Sequence, residues 1–320
     1  ALTLTSFTLD TSVATPSETT AVSTPTNDAT PDVVITTTQA GTIAVAGTSG
    51  CGLSSTATMA SGANTVTLTI TDSTEGAYVC TITFTDSAGN AASALTLTSF
   101  TLDTSVATPS ETTAVSTPTK DTSPDVVITT TQAGTIVVAG TTGCAIGSAN
   151  VVSGQQTLTL TTITAGDGAY VCTITFTDSA GNAASALTLT SFTLDTTVAT
   201  PSETTVVSTP TNDATPDVVI TTTEAGTIAV AGTSGCGLSS TATMTSGANT
   251  VTLTITDSTE GAYVCTITFT DTATNAASAL TLTSFTLDTS VATPSETTAV
   301  STPTNDATPD VVITTTQAGT

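Results

Sequence analysis

The sequence predicts an all-β protein built from tandem two-layer β-sandwich domains, each closed by one disulfide bond. The first observation is an internal repeat: the segment ALTLTSFTLD begins at Ala1 and recurs at Ala94, Ala186 and Ala279, at offsets of 93, 92 and 93 residues. This period suits one small, independently folded domain per repeat, since the repeats of solenoid proteins are shorter. The other two observations are a period-two alternation of apolar residues and one pair of cysteines in each full repeat.

Apolar residues alternate with threonine along much of each repeat, which is the pattern of half-buried antiparallel strands. In the segment AYVCTITFTD, Tyr78, Cys80, Ile82 and Phe84 share one face. All 12 prolines lie in the first third of each repeat, and because proline removes a ladder donor, that stretch predicts an edge strand. Each repeat thus predicts about seven strands: a proline-rich strand A, then B (PDVVITTT), C (GTIAVAG), D (STATM), E (TVTLTIT), F (YVCTITFTD) and G (ALTLTSFTL).

Strand G contains a break in its alternation. Leu95 and Leu97 share one face, whereas Phe100 and Leu102 share the other. The change of phase predicts a bulge or twist near Thr98 and Ser99. It also leads us to expect that Phe100 and Leu102 contact the neighbouring domain instead of their own core.

The six cysteines fall into three pairs, one in each full repeat. The pairs are Cys51 and Cys80, Cys144 and Cys172, and Cys236 and Cys265, with separations of 29, 28 and 29 residues. An even count tied to the domain period predicts one disulfide within each domain. A metal site is the alternative, but the chain has no histidine and no Cys-x-x-Cys. Because disulfides persist in oxidising surroundings, we expect a secreted or cell-surface protein.

The repeat and its junctions predict where the domains begin and end. Residues 1–9 are expected to be the last strand of a preceding domain. Complete domains are expected at 10–102, 103–194 and 195–287, and residues 288–320 hold only the first strands of a further domain. The linker is one or two residues long, in the sequence LDTS, without a flexible Gly/Ser stretch. We therefore expect a semi-rigid, head-to-tail rod.

Charge and composition exclude several classes of function. The net charge is −24 with a single basic residue, Lys120, so a surface that binds nucleic acid or anionic lipid is not expected. The sequence contains no run of 18 or more apolar residues, so it predicts no membrane-spanning helix. The chain lacks histidine and free cysteine, so a serine nucleophile would have no base, and we expect no enzymatic activity.

The sequence around the second cysteine of each pair resembles strand F of an immunoglobulin domain. The segment GAYVC places Tyr78 two residues before Cys80, and Tyr170 and Tyr263 occupy the same place in the other repeats. The resemblance implies a tyrosine corner, in which the tyrosine hydroxyl bonds to the backbone. The first cysteine follows strand C, so a bond between strands C and F is expected instead of the usual B-to-F bond, and the core tryptophan is absent.

The whole chain resembles the bacterial Ig-like repeats of giant adhesins and biofilm-associated surface proteins. The similar segments are TNDATPDVVITTTQAGTIAVAG, CTITFTDSAGNAAS and the LDTS junction. The resemblance implies tandem Ig-like sandwiches at the cell surface, where such modules serve as spacers, as anchors and sometimes as binding domains.

Calcium at the domain junctions is the strongest hypothesis for a site. In an Ig-like topology the F–G turn lies at the same pole as the entry linker, and such repeats are known for calcium there. Carboxylate and amide oxygens are the ligands that calcium prefers. The alternative is that TDSAGN is an ordinary turn whose polar side chains bond to their own backbone. The three predicted sets are Asp10, Asp86 and Asn90; Asp103, Asp178 and Asn182; and Asp195, Asp271 and Asn275.

Together these features predict a structural role: a semi-rigid spacer or filament-forming rod in an extracellular surface fibre or adhesin stalk. The expected partners are copies of the chain, in lateral or end-to-end contacts, because a surface with few charges opposes such packing little. Surface threonine and serine offer acceptors for O-glycans. One alternative is an adhesive module that recognises a glycan or a protein. The other is a filament subunit assembled by strand exchange, with residues 1–9 completing a neighbour's domain.

Overall fold

The structure of the protein is a computed structural model that describes residues 2–46, 50–54, 57–139, 144–146, 149–161, 166–232, 235–239, 243–257 and 259–319. All regular elements in these ranges are β-strands, so the predicted all-β class is confirmed. The chain divides into two compact units. The first comprises Ala1–Ser116 and Asp121–Thr193, and the second comprises Thr117–Lys120 and Leu194–Thr320.

The described residues of the first repeat form ten strands. They are β1 (Ser17–Thr20), β2 (Asp32–Thr37), β3 (Gly41–Ala46), β4 (Cys51–Leu53), β5 (Thr58–Met59), β6 (Gly62–Ile70), β7 (Gly76–Tyr78), β8 (Thr81–Asp86), β9 (Leu95–Thr96) and β10 (Phe100–Leu102). Strands A, B, C and E of the prediction correspond to β1, β2, β3 and β6. The predicted strand F is divided into β7 and β8, and strand G into β9 and β10. The first two residues of the predicted strand D are residues 55–56, which lie outside the described ranges. Its last two residues form β5.

The other repeats carry the same strands in the same order. The second contains β11 (Ser110–Thr113), β12 (Asp125–Thr130), β13 (Gly134–Ala139), β14 (Ala145–Ile146), β15 (Ala149–Val151), β16 (Gly154–Thr161), β17 (Gly168–Tyr170), β18 (Thr173–Asp178), β19 (Leu187–Thr188) and β20 (Phe192–Leu194). The third contains β21 (Ser202–Thr205), β22 (Asp217–Thr222), β23 (Gly226–Gly232), β24 (Cys236–Leu238), β25 (Thr243–Met244), β26 (Gly247–Ile255), β27 (Gly261–Tyr263), β28 (Cys265–Asp271), β29 (Leu280–Thr281) and β30 (Phe285–Leu287). A last hairpin is formed by β31 (Ser295–Thr298) and β32 (Val312–Thr314).

Each full repeat is built from two four-stranded antiparallel sheets and a short ribbon. In the first repeat the sheet orders are β1-β2-β6-β4 and β5-β3-β8-β9, and the ribbon pairs β10 with β7. The proline-rich stretch supplies the edge strand β1, as predicted. The structure adds β4, which the sequence did not predict, because its three residues CGL show no alternation and all three are half-buried.

The alternating side chains form one core between the sheets of each sandwich. In the first repeat Val33 and Ile35 on β2 face Ile82 and Phe84 on β8, and each of these is almost completely buried. The residues between them, Val34 on β2 and Thr83 on β8, lie on the outer faces and are half-buried. The third repeat has the same core at the corresponding positions.

A disulfide bond connects the two sheets of every sandwich, which confirms the predicted pairs. The bonds join Cys51 to Cys80, Cys144 to Cys172 and Cys236 to Cys265. Cys51 begins β4, which pairs with β6 of one sheet, whereas Cys80 lies between β7 and β8 on strand F and is fully buried. The bond therefore crosses the core from one layer to the other.

Strand G changes sheets at the position of the predicted phase break. Strand β9 pairs with β8, and β10 pairs with β7. Between them, Thr98 N and Thr98 Oγ1 both donate to Glu18 Oε2, at 2.8 Å each, so a half-buried carboxylate on the edge strand satisfies the interrupted ladder. The expectation that Phe100 and Leu102 leave their own core was wrong. Both are buried in the core of the first repeat, because the switch of sheets turns them back inward, and Phe100 stacks on Tyr78.

We predict that reduction of the disulfides weakens every sandwich. Opening loops of 28 or 29 residues removes about 3–4 kcal/mol of stability per domain in the chain-entropy account. The measurement is urea unfolding followed by circular dichroism, with and without reductant, with thiol titration as the control for complete reduction. An unchanged midpoint in a chain with six titratable thiols would contradict this role of the disulfides.

Candidate functional site at the domain junction

The F–G turn of each repeat is organised by its first aspartate. Asp86 ends β8 and is only 6% exposed. Its Oδ1 accepts hydrogen bonds from Ala88 N at 2.9 Å and Asn90 N at 2.8 Å, and its Oδ2 accepts one from Asn90 Nδ2 at 2.8 Å. These bonds lower the pKa of Asp86 below its ordinary value, and the bond from the Asn90 side chain has the largest effect. The turn is thus folded around a charged carboxylate.

The same turn reaches the entry linker of its own domain. Asn90 Nδ2 also donates to Asp10 O at 3.1 Å, and Gln39 Nε2, in the turn between β2 and β3, donates to Asp10 Oδ2 at 3.1 Å. The second repeat repeats this arrangement, with Asn182 Nδ2 donating to Asp103 O at 2.8 Å and Gln132 Nε2 to Asp103 Oδ2 at 3.0 Å. We call the set of four residues in each repeat the entry latch. It consists of Asp10, Gln39, Asp86 and Asn90 in the first repeat, and of Asp103, Gln132, Asp178 and Asn182 in the second.

The linker aspartate is also attached to the domain that precedes it. Asp103 N donates to Thr26 O at 2.9 Å, beside the parallel bridge between Thr26 and Leu102. The next residue, Thr104, donates to Glu75 Oε1 through its N at 3.0 Å and its Oγ1 at 2.9 Å. Hydrogen bonds from Ser105 and Thr104 lower the pKa of Glu75. The linker between the first two repeats is therefore fixed from both sides.

The second compact unit contains the same exit contacts. Asp288 N donates to Thr211 O at 2.8 Å, and Thr289 N and Oγ1 donate to Glu260 Oε1 at 3.0 and 3.2 Å. Since the contacts recur at a second linker, they are a regular property of the repeat.

The residues predicted to bind calcium are thus brought together, but as hydrogen-bond partners. Calcium takes 6–8 oxygen ligands. In the first two repeats the asparagine presents its NH₂ group, and not its oxygen, to both the linker carbonyl and the turn carboxylate. Each aspartate oxygen of the latch already accepts an N–H hydrogen bond; Ser12 N and Ser105 N complete the linker carboxylates. These two sets do not fit a calcium ion.

The third repeat differs at a residue that the sequence reasoning missed. Glu224 takes the place of Gln39 and Gln132, and carboxylate oxygens of Asp195, Glu224 and Asp271 lie within 4.8 Å of one another. Asn275 still donates through Nδ2 to Asp195 O and to Asp271 Oδ2, at 2.8 Å each. The signal was available as TTTE in place of TTTQ when the copies are aligned.

Two further differences between the copies meet in the second unit. Lys120, at the position of Asn27, donates from Nζ to Thr274 O at 2.8 Å. Thr274 replaces the glycine of the turn and keeps a left-handed φ of 71°, where Gly89 and Gly181 have 93° and 96°. A threonine in this conformation is strained, so the lysine contact accompanies a less favourable turn.

The tyrosines occupy the corner position expected from the resemblance. Tyr78 OH lies 2.6 Å from both Thr74 O and Asp72 Oδ1, which share its single hydroxyl hydrogen, and Tyr263 OH has the same two acceptors in Thr259 O and Asp257 Oδ1. Tyr170 OH donates to Gly166 O at 2.6 Å. The bond to Asp72 raises the pKa of Tyr78 and lowers that of Asp72. These contacts fix the E–F connection, and the tyrosine side chains are buried.

Residues 3–104 match the sequence profile of the bacterial Ig-like domain family. Over these residues the chain is similar to a bacterial Ig-like domain. Since the second and third repeats carry the same strands, sheet orders and disulfides, the fold of the chain is a tandem array of Ig-like sandwiches. A comparison with curated protein sequences finds no match.

Several solved structures are similar to the array at low identity. The D00-D0 domain of intimin is 12% identical, with 55% of this chain and 98% of that chain covered and a TM-score of 0.28. Invasin, described as a bacterial integrin-binding protein, is 17% identical, with 88% and 61% covered and a TM-score of 0.31. A protocadherin gammaB7 EC3-6 structure is 11% identical, with 91% and 77% covered and a TM-score of 0.28. TM-scores this low establish no shared arrangement of domains.

Within the described ranges, the protein has no helix that could cross a membrane.

We predict that the F–G turn loses its stabilising effect in acid. A carboxyl whose pKa is lower in the folded state stabilises the fold above its ordinary pKa, 3.8 for Asp86, and this contribution disappears as the pH falls through the folded value. Asp86→Asn should therefore destabilise the chain at pH 7, and its difference from the wild type should shrink below about pH 4. Thermal unfolding at a series of pH values measures this, and a difference that does not vary with pH would contradict it.

Proposed function

We propose that this chain is a structural segment of a bacterial extracellular surface protein, in which tandem Ig-like domains act as a semi-rigid spacer. The observation that carries the proposal is the two-sided attachment of Asp103. Its N–H bonds to the preceding domain, and its carbonyl and carboxylate bond to the following one. A linker held in this way resists bending, because any reorientation of the two domains breaks several hydrogen bonds at once.

Composition and disulfides support the extracellular assignment. Disulfides in every domain require an oxidising compartment, and 8% charged residues with a single lysine leave an exterior dominated by threonine and serine hydroxyls. The hydroxyl groups of this exterior offer acceptors for O-glycans. The same inventory supports a non-catalytic role, because the chain has no histidine and its cysteines are all disulfide-bonded.

The near-identity of the copies favours a spacer over a binding module. A recognition site for a glycan or protein belongs on one specialised domain, whereas the first and third copies differ at few positions, among them Glu224 and Thr274. The second copy differs at Lys120 and in the shortened stretch after Cys144. The tyrosines, the largest candidates for a sugar-stacking surface, are buried in the corners.

We predict that the spacer depends on the contact between Glu75 and Thr104. Single-particle electron microscopy of the chain should resolve globules in a row, each spanning about 40 Å along its strands. Glu75→Ala removes the acceptor of both Thr104 bonds and should broaden the angle between the first two globules. Asp32→Ala is the matched control, because Asp32 accepts a bond from Thr67 within its own domain. Equal angle distributions in the two variants, or a freely bending wild-type chain, would refute the spacer.

A second candidate function is assembly by strand exchange between chains. Residues 1–9 have the same sequence as residues 94–102. In the first segment Phe7 and Leu9 are 89% and 78% exposed, whereas the corresponding Phe100 and Leu102 are 2% and 0% exposed. The segment therefore has the side chains of a last strand and can replace that strand in a sandwich of another copy.

We predict that strand exchange, if it occurs, depends on Phe7. Sedimentation velocity over a range of concentrations should show association of the wild-type chain. Phe7→Asp should abolish the association, because it places a charge in the acceptor core. Thr8→Asp is the control, since its equivalent, Thr101, points outward. A wild-type chain that is monomeric at all concentrations would exclude this function and leave the spacer unaffected.

A further inference from the structure

We propose that amide hydrogen bonds take the place of a metal ion in the entry latch of the first two repeats. These domains therefore fix their linkers without divalent cations. The proposal concerns how the linker is fixed, and it stands whether the array serves as a spacer or as a subunit.

The latch brings two carboxylates and a backbone carbonyl to one pole of the domain. In a metal site a cation would compensate this concentration of negative oxygen. Here Asn90 Nδ2 bridges two of the groups, with one N–H directed to Asp10 O and the other to Asp86 Oδ2. The amide thus occupies the position between linker and turn that a bridging ion would take.

The glutamine, which lies in a different loop, donates a further N–H to the linker carboxylate. Gln39 Nε2 donates to Asp10 Oδ2, and Gln132 Nε2 donates to Asp103 Oδ2 and, at 3.4 Å, to Ser105 O. Three segments that are distant in sequence therefore meet at one aspartate: the linker, the turn after strand B and the turn after strand F. A cation at this place would have to displace N–H groups whose positive ends already face the carboxylates.

The amide oxygens that remain do not form a ligand set. Gln39 Oε1 and Gln132 Oε1 are buried and accept no hydrogen bond from the described residues. Each is a single neutral oxygen, whereas calcium takes 6–8 oxygen ligands drawn from carboxylates, carbonyls and waters. One ordered water can satisfy such an acceptor.

The third repeat provides an internal contrast. The position of Gln39 holds a carboxylate, Glu224, so one amide donor of the latch is replaced by an acceptor. The asparagine and the two aspartates are retained. A glutamine at this position is thus the feature that distinguishes the latch of the first two repeats.

The test compares the full chain in EDTA and in millimolar calcium by hydrogen exchange with mass spectrometry. Peptides that contain DSAGNAAS report the first two repeats together, and the third is separate because it reads DTATNAAS. The proposal expects equal exchange of the DSAGNAAS amides in both solutions. Slower exchange of these amides in calcium would overturn it.

A pair of variants tests the amides themselves. Asn90→Asp with Asn182→Asp converts both bridging donors to carboxylates and should accelerate exchange of the turn in EDTA by about tenfold or more. Asn64→Asp with Gln156→Glu is the matched control: it adds the same charge, but these side chains bond to nearby backbone carbonyls and not to the linker. Equal exchange of the turn in the two double variants would also overturn the proposal. Should the first variant fail to fold, the wild-type comparison alone decides.

Discussion

The covalent bond between the two sheets is the constraint on which each domain depends. A sandwich of about 93 residues with two phenylalanines, one tyrosine and no tryptophan has a small core, and burial alone leaves a domain of this size only marginally stable. The disulfide from β4 to strand F closes a loop and so reduces the conformational entropy of the unfolded chain. In the folded domain it fixes the distance between the two layers at Cys80, which is fully buried. The stacked pair Tyr78 and Phe100 then fills one end of the core.

A second constraint operates between domains, and it is polar instead of covalent. The linker is so short that one residue contacts both the domain that precedes it and the domain that follows it. Asp103 contacts both domains, because its backbone N–H donates to Thr26 O and its carboxylate accepts a hydrogen bond in the entry latch. Near-identical copies can therefore be joined repeatedly through one junction. The exchanges at Lys120, Glu224 and Thr274 alter this junction and leave the core unchanged.

Much of the fold could be predicted from the sequence because alternation, proline positions and cysteine spacing are local or periodic signals. Strands B, C and E and all three disulfides follow from them. The short strand β4 could not be predicted, since its residues show no alternation and its pairing with β6 depends on the tertiary fold. The fate of Phe100 was predicted incorrectly, because a phase break does not reveal that the chain changes sheets there. The meeting of Asp10, Asp86 and Asn90 at one pole followed from topology, but the direction of the asparagine amide and the part played by Gln39 depend on side-chain orientation, which sequence spacing does not contain.

The most direct test of the account is a disulfide map of the intact, unreduced chain, obtained by peptic digestion and mass spectrometry. The account predicts three bonds, each within one repeat: Cys51 to Cys80, Cys144 to Cys172 and Cys236 to Cys265. Bonds between different repeats, or thiols that remain reduced in the folded protein, would contradict the claim that every repeat is a separate sandwich closed between its own sheets.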